Sequence, residues 1–346
     1  RSGRQTSSNC HNMIRSIDYE VKTPPSDAVS ALEFSPAPGN FLCAASWDQT
    51  ARIWQVEMNG MTTPRCYCKL NSPVLDISWS DDGFKVYLCT SGHEVHQWDL
   101  QSNQLTQIGS HEAGVRSCHW IKSPHYACLM TGSWDKTVKF WDARSPLPML
   151  RMNLPDRCYA SDVLYPVAAV VCASNSIVTF TLDRIPTDYR CTESTLKQQM
   201  RCISLFRDNA TALPAGFVVG GIEGRTVVHY LNNAKETLTF DSHYSKCSLG
   251  FKNIYAVNDV KHHPVHNTLV TAGSDGIYVF WDIQSRNKLL VSATKDQPLT
   301  KCCFNADGNI FAYALGYDWA RGHEYYDANK KPQILLHPCF DEMKPK

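Results

Sequence analysis

The residues with the clearest binding chemistry in this sequence are tryptophans and arginines at turns. Trp47 and Trp134 each stand directly before an Asp in similar short turns. Turns and strand entries expected on the same rim contribute further candidates: Arg157, Arg201, Arg225 and Tyr317. Trp and Arg are enriched at the centres of interfaces, and a guanidinium group can bind a carboxylate in a bidentate fork. The set predicts a docking site for an acidic, partly apolar peptide, unless the two tryptophans simply pack between structural units.

A second cluster mixes aromatic and basic side chains near the end of one repeated unit. Its members are Phe240, Trp281, Arg286 and Lys288. Aromatic rings beside Arg and Lys can stack bases and hold phosphates without reading sequence. The cluster predicts weak, sequence-tolerant binding of single-stranded RNA, and the alternative is a solvated basic turn beside a structural Trp.

Metal and catalytic chemistry are not indicated. His262, His263 and His266 fall in one turn between two strands, and Cys66 and Cys68 have no second pair with metal-ligand spacing. The sequence also shows no phosphate-binding loop and no credible acid–base pair. We therefore expect no metal, no cofactor and no enzymatic activity.

Charge and composition narrow the classes of partner. The 346 residues carry 34 basic and 33 acidic side chains, so the chain is not a polycation that coats nucleic acid or anionic membrane indiscriminately. No apolar run approaches the length of about 18 residues that a membrane span needs, and no signal-peptide pattern is present. The cysteines are dispersed, many in apolar runs around positions such as Cys118, Cys128 and Cys302, which indicates reduced core residues in the cytosol or nucleus.

The elements that must position these residues form a repeat. Strand-like segments begin at residues 29, 74, 115, 159, 201, 257 and 299, so successive starts are separated by 45, 41, 44, 42, 56 and 42 residues. Each is followed by a strand rich in small residues, a polar turn and a third strand, several of which end in Trp. A period of about 40–45 residues is typical of WD repeats. The sequence predicts an all-β fold, a seven-bladed WD40-type β-propeller.

The blades also repeat a set of polar residues. In the third blade we expect a hydrogen-bonded chain between strands, made by His111, Ser133, Asp135 and Trp141. Residues at matching offsets occur in the first and sixth blades: Ser46, Asp48 and Trp54, then Asp275 and Trp281. The fixed spacing of the turn Asp and the Trp favours a propeller over a generic sandwich.

The predicted boundaries follow from the repeat. Residues 1–26 form a tail in which Met13–Val21 alternates well enough to be a strand that closes the ring by completing blade seven. Residues 27–334 form the propeller, and residues 335–346 form a short C-terminal tail. The long fifth interval places a polar loop over Asn232–Phe251. A closed ring predicts a monomer in the absence of partners.

Several segments go beyond the general pattern of WD repeats. Ile254–Asn258, Gly273–Gly276 and Tyr317–Glu324 resemble the RNA export family of WD-repeat proteins, and the similarity extends over essentially all seven blades. The Tyr-Asp-Trp segment with Gly-His-Glu favours this family over the related spindle-checkpoint propellers, which share the other two segments. Two positions depart from the pattern: Gly92 replaces a turn Asp, and Ile283 stands where members tend to carry a basic residue.

The resemblance implies a non-enzymatic scaffold in nucleocytoplasmic mRNA transport. Such a scaffold docks a short hairpin, called the GLEBS motif, of an FG nucleoporin and of mitotic checkpoint kinases, and it contacts RNA. The implied locations are the nucleus, the nuclear envelope at its pores and the cytoplasm. The alternatives are a spindle-checkpoint propeller acting at kinetochores and a substrate receptor of a ubiquitin ligase.

Overall fold

The strands of this protein close into a ring. The structure, a computed structural model, describes residues 17–184, 186, 188–232 and 236–346. In these residues the strands build seven antiparallel sheets of four strands each and one separate two-stranded sheet. The innermost strand of each large sheet contacts that of the next, and the last contacts the first. This closed ring confirms the predicted seven-bladed β-propeller.

The strands are numbered in chain order. Strand β1 covers Tyr19–Glu20. Blade one contains β2 (Val29–Phe34), β3 (Phe41–Ser46), β4 (Thr50–Val56) and β5 (Thr62–Lys69). Blade two contains β6 (Val74–Trp79), β7 (Lys85–Thr90), β8 (Glu94–Asp99) and β9 (Gln104–Ser110). Blade three contains β10 (Val115–Lys122), β11 (Ala127–Ser133), β12 (Thr137–Trp141) and β13 (Leu150–Asn153). Blade four contains β14 (Cys158–Leu164), β15 (Val167–Cys172), β16 (Ser176–Thr181) and β17 (Arg190–Glu193).

The remaining strands include one departure from the blade pattern. Blade five contains β18 (Met200–Arg207), β19 (Pro214–Gly221), β20 (Arg225–Tyr230) and β21 (Thr237–Asp241). A hairpin of β22 (Tyr244–Lys246) and β23 (Lys252–Ile254) follows it. Blade six contains β24 (Val257–His262), β25 (Leu269–Gly273), β26 (Tyr278–Asp282) and β27 (Asn287–Val291). Blade seven contains β28 (Leu299–Phe304), β29 (Ile310–Leu315) and β30 (Gln333–Pro338).

The predicted polar loop at residues 232–251 is wrong over much of its length. Thr237–Asp241 completes blade five by pairing with β20, and the chain then forms the β22–β23 hairpin. Alternating Thr, Leu and Phe side chains suit an outer strand, which explains why this segment pairs. Within the described residues the helical structure is the 3-10 turn His323–Tyr325, and no helix there has the length and apolarity to cross a membrane.

The ring is closed by the N-terminal segment, as the sequence predicts. Strand β1 pairs antiparallel with β30, placing Tyr19 opposite Leu336 and Glu20 opposite Leu335. The expected strand starts at Met13, and residues 13–16 lie outside the described residues. Strand β30 also pairs with β29 along its full length. The propeller therefore extends to Pro338, and the boundary expected at residue 334 falls inside a strand.

The hydrophobic core lies between neighbouring blades. Leu42 and Trp54 of blade one, for example, pack with Ala312 and Ile334 of blade seven, and all four are almost fully buried. Strands that are covered on both faces read as continuous apolar runs, which explains the Val-rich and Ala-rich second strands. Buried cysteines belong to this core: Cys118, Cys128 and Cys302 are at most 1% exposed, as expected from the sequence.

Carboxylates on the innermost strands link pairs of blades around the central channel. Asp76, Asp162 and Asp259 each accept a hydrogen bond from a backbone N–H in the next blade. The donors are Cys118 at 3.0 Å, Leu205 at 2.7 Å and Cys302 at 3.0 Å. A buried N–H must find a partner, so these carboxylates have a structural role in joining blades.

The polar chain of blade three is present, with one member different from the prediction. His111 Nδ1 lies 2.9 Å from Asp135 Oδ2, and His111 Nε2 lies 2.7 Å from Thr131 Oγ1. The indole of Trp141 donates to the same Thr131 hydroxyl at 2.8 Å. Ser133 stands outside this chain because it is the last residue of its strand; its hydroxyl accepts the Asp135 N–H at 3.0 Å.

Blade six repeats the chain, whereas blade one does not. His243 contacts Asp275 at 3.0 Å and Thr271 at 2.9 Å, and Trp281 donates to Thr271 at 3.0 Å. In blade one Asp48 accepts the Ser26 N–H at 2.9 Å. Trp54 there donates to the Lys22 carbonyl at 2.7 Å, so its indole holds the ring-closing segment instead. Matching offsets alone therefore overstated the similarity of blade one.

Replacing Asp135 with Ala should lower the free energy of unfolding by about 2 kcal/mol, because buried donors lose their acceptor. Burial opposes ionisation of Asp135, but hydrogen bonds from His111 and Thr137 outweigh it and hold the pKa of this carboxyl well below its usual value. Denaturant melts of Asp135→Ala and of the control Asp341→Ala, at an exposed Asp, measure the difference. Equal midpoints for wild type and Asp135→Ala would contradict the role assigned to the chain.

Candidate functional site

One end of the central channel is surrounded by turns that carry the predicted tryptophans. The turns between the second and third strands are bound to the entries of the first strands: Trp47 N–H donates to Ala28 O at 3.1 Å, and Trp134 N–H donates to Gly114 O at 3.0 Å. These turns and strand entries therefore share one face, here called the docking face.

A repeated irregularity directs side chains to the centre of this face. Every first strand has a β-bulge at its second residue. A bulge redirects a side chain out of the regular alternation of the strand. The seven bulge residues, in blade order, are Ser30, Leu75, Arg116, Tyr159, Arg201, Asn258 and Thr300. They form a ring around the channel mouth, in which two arginines flank a tyrosine.

The ring lies in a cavity that also holds most of the predicted docking residues. Trp47, Trp134, Arg201 and Tyr317 line a single cavity of about 610 Å³. The bulge residues Ser30, Leu75, Arg116, Asn258 and Thr300 line it too, together with Lys301 and Trp319. Four of the six residues predicted from the sequence thus meet at one site that combines aromatic surface with guanidinium groups.

An adjoining cavity brings in a fifth predicted residue. Arg157 lines a space of about 400 Å³ with Trp134 and the bulge residues Arg116, Tyr159 and Arg201. The Arg157 guanidinium lies 5.7 Å from the centre of the Tyr159 ring. Because Arg116, Trp134 and Arg201 border both cavities, the two form one continuous surface around the channel mouth.

Local packing fixes two of the aromatic groups. A Cβ atom at Gly114 would lie 2.5 Å from Cε3 of Trp134, so only glycine lets the indole lie against this strand entry. One side of Trp134 therefore packs on the protein, and the residue also lines both cavities. Packing between structural units and exposure at a docking site, the two interpretations offered by the sequence, thus both apply to Trp134. Asn258 of blade six donates through Nδ2 to Asp318 at 2.8 Å and fixes the blade-seven loop that carries Tyr317.

Arg225 lies outside both cavities. Its Nε donates to Asp241 Oδ1 at 3.2 Å, and Lys252 Nζ contacts the other oxygen of that carboxylate at 2.9 Å. The Arg225 side chain is 50% exposed, at the periphery of the docking face beside the β22–β23 hairpin. Turn position alone did not show how far from the channel mouth this arginine would lie.

Sequence reasoning missed Arg116, Lys301, Asn258 and Trp319. Arg116 has the same place in its strand as Arg201, directly after the first residue, and both strands bulge there. Alignment of the seven first strands at their second residue would have found the whole ring. Lys301 and Trp319 have no such signal, since Lys301 follows the bulge residue within β28 and Trp319 belongs to the long loop between β29 and β30.

The predicted RNA-binding residues are close together, but their aromatic part is largely covered. Trp281 is 6% exposed, and its ring centre lies 4.7 Å from that of Phe240. Lys288 Nζ lies 5.0 Å from the centre of the Trp281 ring. Arg286 and Lys288 are exposed and Phe240 is half-buried. Trp281 is therefore unavailable for stacking a base, and the accessible chemistry is mainly that of two cations.

The structure does not gather the histidines and cysteines considered above into a metal site. His263 Nε2 donates to the Gly308 carbonyl at 2.8 Å, and burial lowers the pKa of His263 to about 4. Within the described residues, no group of three or more His, Cys, Asp or Glu side chains has an arrangement suited to a metal ion.

Comparisons with known proteins agree with this architecture. The WD domain, G-beta repeat family matches residues 11–55, 102–142 and 237–282. Protein Rae1 of Drosophila melanogaster is 53% identical over 336 residues, which cover 96% of this chain and 97% of that protein. The mRNA export factor of Danio rerio is 48% identical and covers 99% of this chain, with 94% of its own length. The chain belongs to the mRNA export factor family of WD-repeat proteins.

Solved structures extend the likeness at the level of fold. The structure of U3-55K superimposes with a TM-score of 0.77 over 93% of this chain and 98% of that chain, at 15% sequence identity. At this identity the agreement concerns the WD40 propeller alone. Neither of the two departures noted in the sequence lines these two cavities: Gly92 is in the turn between the second and third strands of blade two, and Ile283 follows the last residue of β26.

Proposed function

We propose that this chain is a non-enzymatic scaffold in mRNA export, and that its docking face binds an acidic, partly apolar hairpin of the GLEBS type in an FG nucleoporin. The main support for this proposal is the cavity of about 610 Å³, which is lined by Trp47, Trp134, Tyr317, Arg116 and Arg201. The names of the relatives, mRNA export factor and Rae1, support the process, and they favour action in the nucleus, at the nuclear pore and in the cytoplasm.

The cavity suits such a peptide for physical reasons. An aromatic or aliphatic side chain placed between the tryptophans would bury apolar surface at the centre of the interface, where anchors contribute most. Carboxylates beside it would pair with Arg116 and Arg201, which are half-buried and hence screened less than surface cations. A single peptide with one apolar anchor and flanking carboxylates would contact the tryptophans and the two arginines at the same time.

Isothermal titration calorimetry with a synthetic GLEBS peptide of an FG nucleoporin tests the proposal. We expect saturable one-to-one binding that weakens with salt, and no heat from a peptide of the same composition in scrambled order. A GLEBS peptide from a mitotic checkpoint kinase, titrated in parallel, measures the spindle-checkpoint alternative. Absence of binding by both motif peptides would contradict the proposal and leave the ubiquitin-ligase receptor as the remaining alternative.

We also propose weak, sequence-tolerant binding of single-stranded RNA near blade six. The supporting observation is the pair of exposed cations, Arg286 and Lys288, beside the half-buried ring of Phe240. Two cations can contact phosphates without reading bases, and one partly accessible ring can support a single base.

Charge reversal at this pair, Arg286→Glu with Lys288→Glu, should weaken RNA binding and make the slope of log K against log salt less negative by roughly 1.4, the value for two phosphate contacts on a single strand. Fluorescence anisotropy with a labelled oligonucleotide at several salt concentrations measures both effects. The control changes charge equally at exposed cations elsewhere, Lys122→Glu with Arg144→Glu. The same loss in both double variants would show that only net charge matters.

A further inference from the structure

The β22–β23 hairpin is an addition to the propeller that the blades do not require. It forms its own two-stranded sheet between blades five and six, in the interval that is longer than all the others. Every residue from Tyr244 to Ile254 is exposed except Cys247, which is half-buried. The hairpin therefore contributes almost nothing to the hydrophobic core, and its side chains are free to contact a partner.

The base of the hairpin is held firmly on the docking face. Tyr255 N–H donates to the His243 carbonyl at 3.1 Å, and the His243 ring is itself fixed between Asp275 and Thr271. Beside it, a Cβ atom at Gly224 would lie 3.0 Å from Ile254, so the turn of blade five packs against the hairpin. That turn corresponds to those carrying Trp47 and Trp134, which places the hairpin on the same face.

The tip of the hairpin exposes large apolar side chains. Leu249 is 78% exposed and Phe251 is 72% exposed, and Ile254 at the base of the hairpin is 58% exposed. The tip turn is nevertheless ordered by backbone hydrogen bonds, from Cys247 N–H to Phe251 O at 2.8 Å and from Gly250 N–H to Cys247 O at 3.0 Å. Adjacent apolar side chains presented by an ordered turn are typical of an interaction surface.

The charges around the hairpin are mainly positive. Arg225 and Lys252 both contact Asp241, which leaves one carboxylate between two cations. Lys246 on β22 is exposed and adds a third cation. This surface therefore complements an acidic segment that also carries apolar side chains, which is the chemistry inferred for the partner of the channel-mouth cavity.

We propose that the hairpin is a second contact for that same peptide, beyond the anchor bound at the channel mouth. Leu249 and Phe251 pack against an apolar side chain of the peptide, while Arg225, Lys246 and Lys252 pair with its carboxylates. This inference rests on the proposed function, and it assigns the peripheral Arg225 to the far part of the interface. The occupant is thus one peptide that engages two separated sites on one face.

The first test removes the apolar tip. In Leu249→Ser with Phe251→Ser, the affinity for the GLEBS peptide should fall by about tenfold, since two exposed apolar contacts are lost. The matched control is Leu147→Ser with Leu213→Ser, two leucines that are 72% and 60% exposed in loops at the opposite end of the blades. This control should bind the peptide as wild type does, and both double variants should keep the wild-type thermal midpoint.

The second test uses a thiol that the hairpin already carries. The Leu249 N–H and the Ser248 hydroxyl lower the pKa of the Cys247 thiol, which favours alkylation by iodoacetamide. Saturating peptide should slow alkylation of Cys247, measured site by site with mass spectrometry. Cys191 is exposed on the outer strand of blade four and serves as the internal control, with an unchanged rate.

The outcomes separate the hairpin from the proposed function. If Arg201→Glu removes binding while the tip variant and the Cys247 rate stay at wild-type values, the hairpin proposal is wrong and the function stands. If wild-type protein does not bind the peptide at all, both are wrong. If sedimentation shows a dimer that the tip variant disrupts, the hairpin docks a second copy of this chain and the proposal is overturned.

Discussion

Raising the pH from about 6 to about 10 should lower the free energy of unfolding by about 3 kcal/mol through the loss of one proton, on His337. Burial disfavours the charged imidazole, but hydrogen bonds to Asp18 and Glu342 outweigh it and raise the pKa of His337 from 6.5 to about 9. Because the folded pKa is above the unfolded one, this stabilisation is complete below pH 6.5 and disappears as the pH rises through 9.

The structure explains why this proton matters for the ring. His337 lies on β30, and its Nδ1 is 2.7 Å from Asp18 Oδ1 while its Nε2 is 2.6 Å from Glu342 Oε2. Asp18 directly precedes the closing strand β1 and also contacts Lys295 at 2.9 Å. A protonated imidazole donates to both carboxylates, and a neutral one donates to only one of them.

Urea melts across this pH range measure the effect, with His337→Gln as the variant that cannot titrate. Other groups also lose protons near pH 10, so the quantity of interest is the difference between the two pH profiles. We expect wild type to lose about 3 kcal/mol more than the variant. Amide exchange at β1 and β30 should accelerate over the same range in wild type. Parallel profiles would show that His337 does not hold the ring closed.

Replacing Arg201 with Glu should reduce the affinity for the acidic peptide at least a hundredfold, which corresponds to about 3 kcal/mol. Arg201 is the bulge residue of blade five, and it borders both cavities of the docking face. The substitution removes a guanidinium from a carboxylate that is partly withdrawn from water, and it adds a like charge. Arg201→Ala should therefore bind better than Arg201→Glu and worse than wild type.

Calorimetry with folded variants measures this effect, and Arg144→Glu is the control. Arg144 is 89% exposed in a turn of blade three at the opposite end of the ring, where it pairs with Asp142. Its reversal changes net charge by the same amount without touching the docking face. Similar affinities for Arg201→Glu and wild type would place the peptide elsewhere on the propeller.

The sequence predicted unevenly which residues line the two cavities, for a geometric reason. Trp47 and Trp134 were found because turns have readable signatures, and topology places all such turns on one face. Arg225 satisfied the same rule but lies at the periphery, since a rule about turns gives the face and not the distance from the axis. Arg116 was missed because its role depends on a bulge, which appears only when two strands are paired.

The polar chains show the same division. The offset between Asp135 and Trp141 identified a bonded chain, yet the hydroxyl between His111 and Trp141 belongs to Thr131 rather than Ser133. In blade six the chain needs His243, which the sequence analysis did not single out. Blade one has the offsets and no such chain, because its Trp54 donates to the closing segment.

The sequence by itself determined the number of blades, their period, the strand that closes the ring and the apolar residues between the sheets. These features depend on alternation and spacing, which are properties of the chain alone. Only the tertiary structure decided which side chains meet at the channel mouth and that Trp281 is covered. It also decided that residues 244–254 project as a hairpin with an apolar tip and exposed lysines. Those outcomes depend on distances between blades that are far apart in sequence, and no local pattern encodes them.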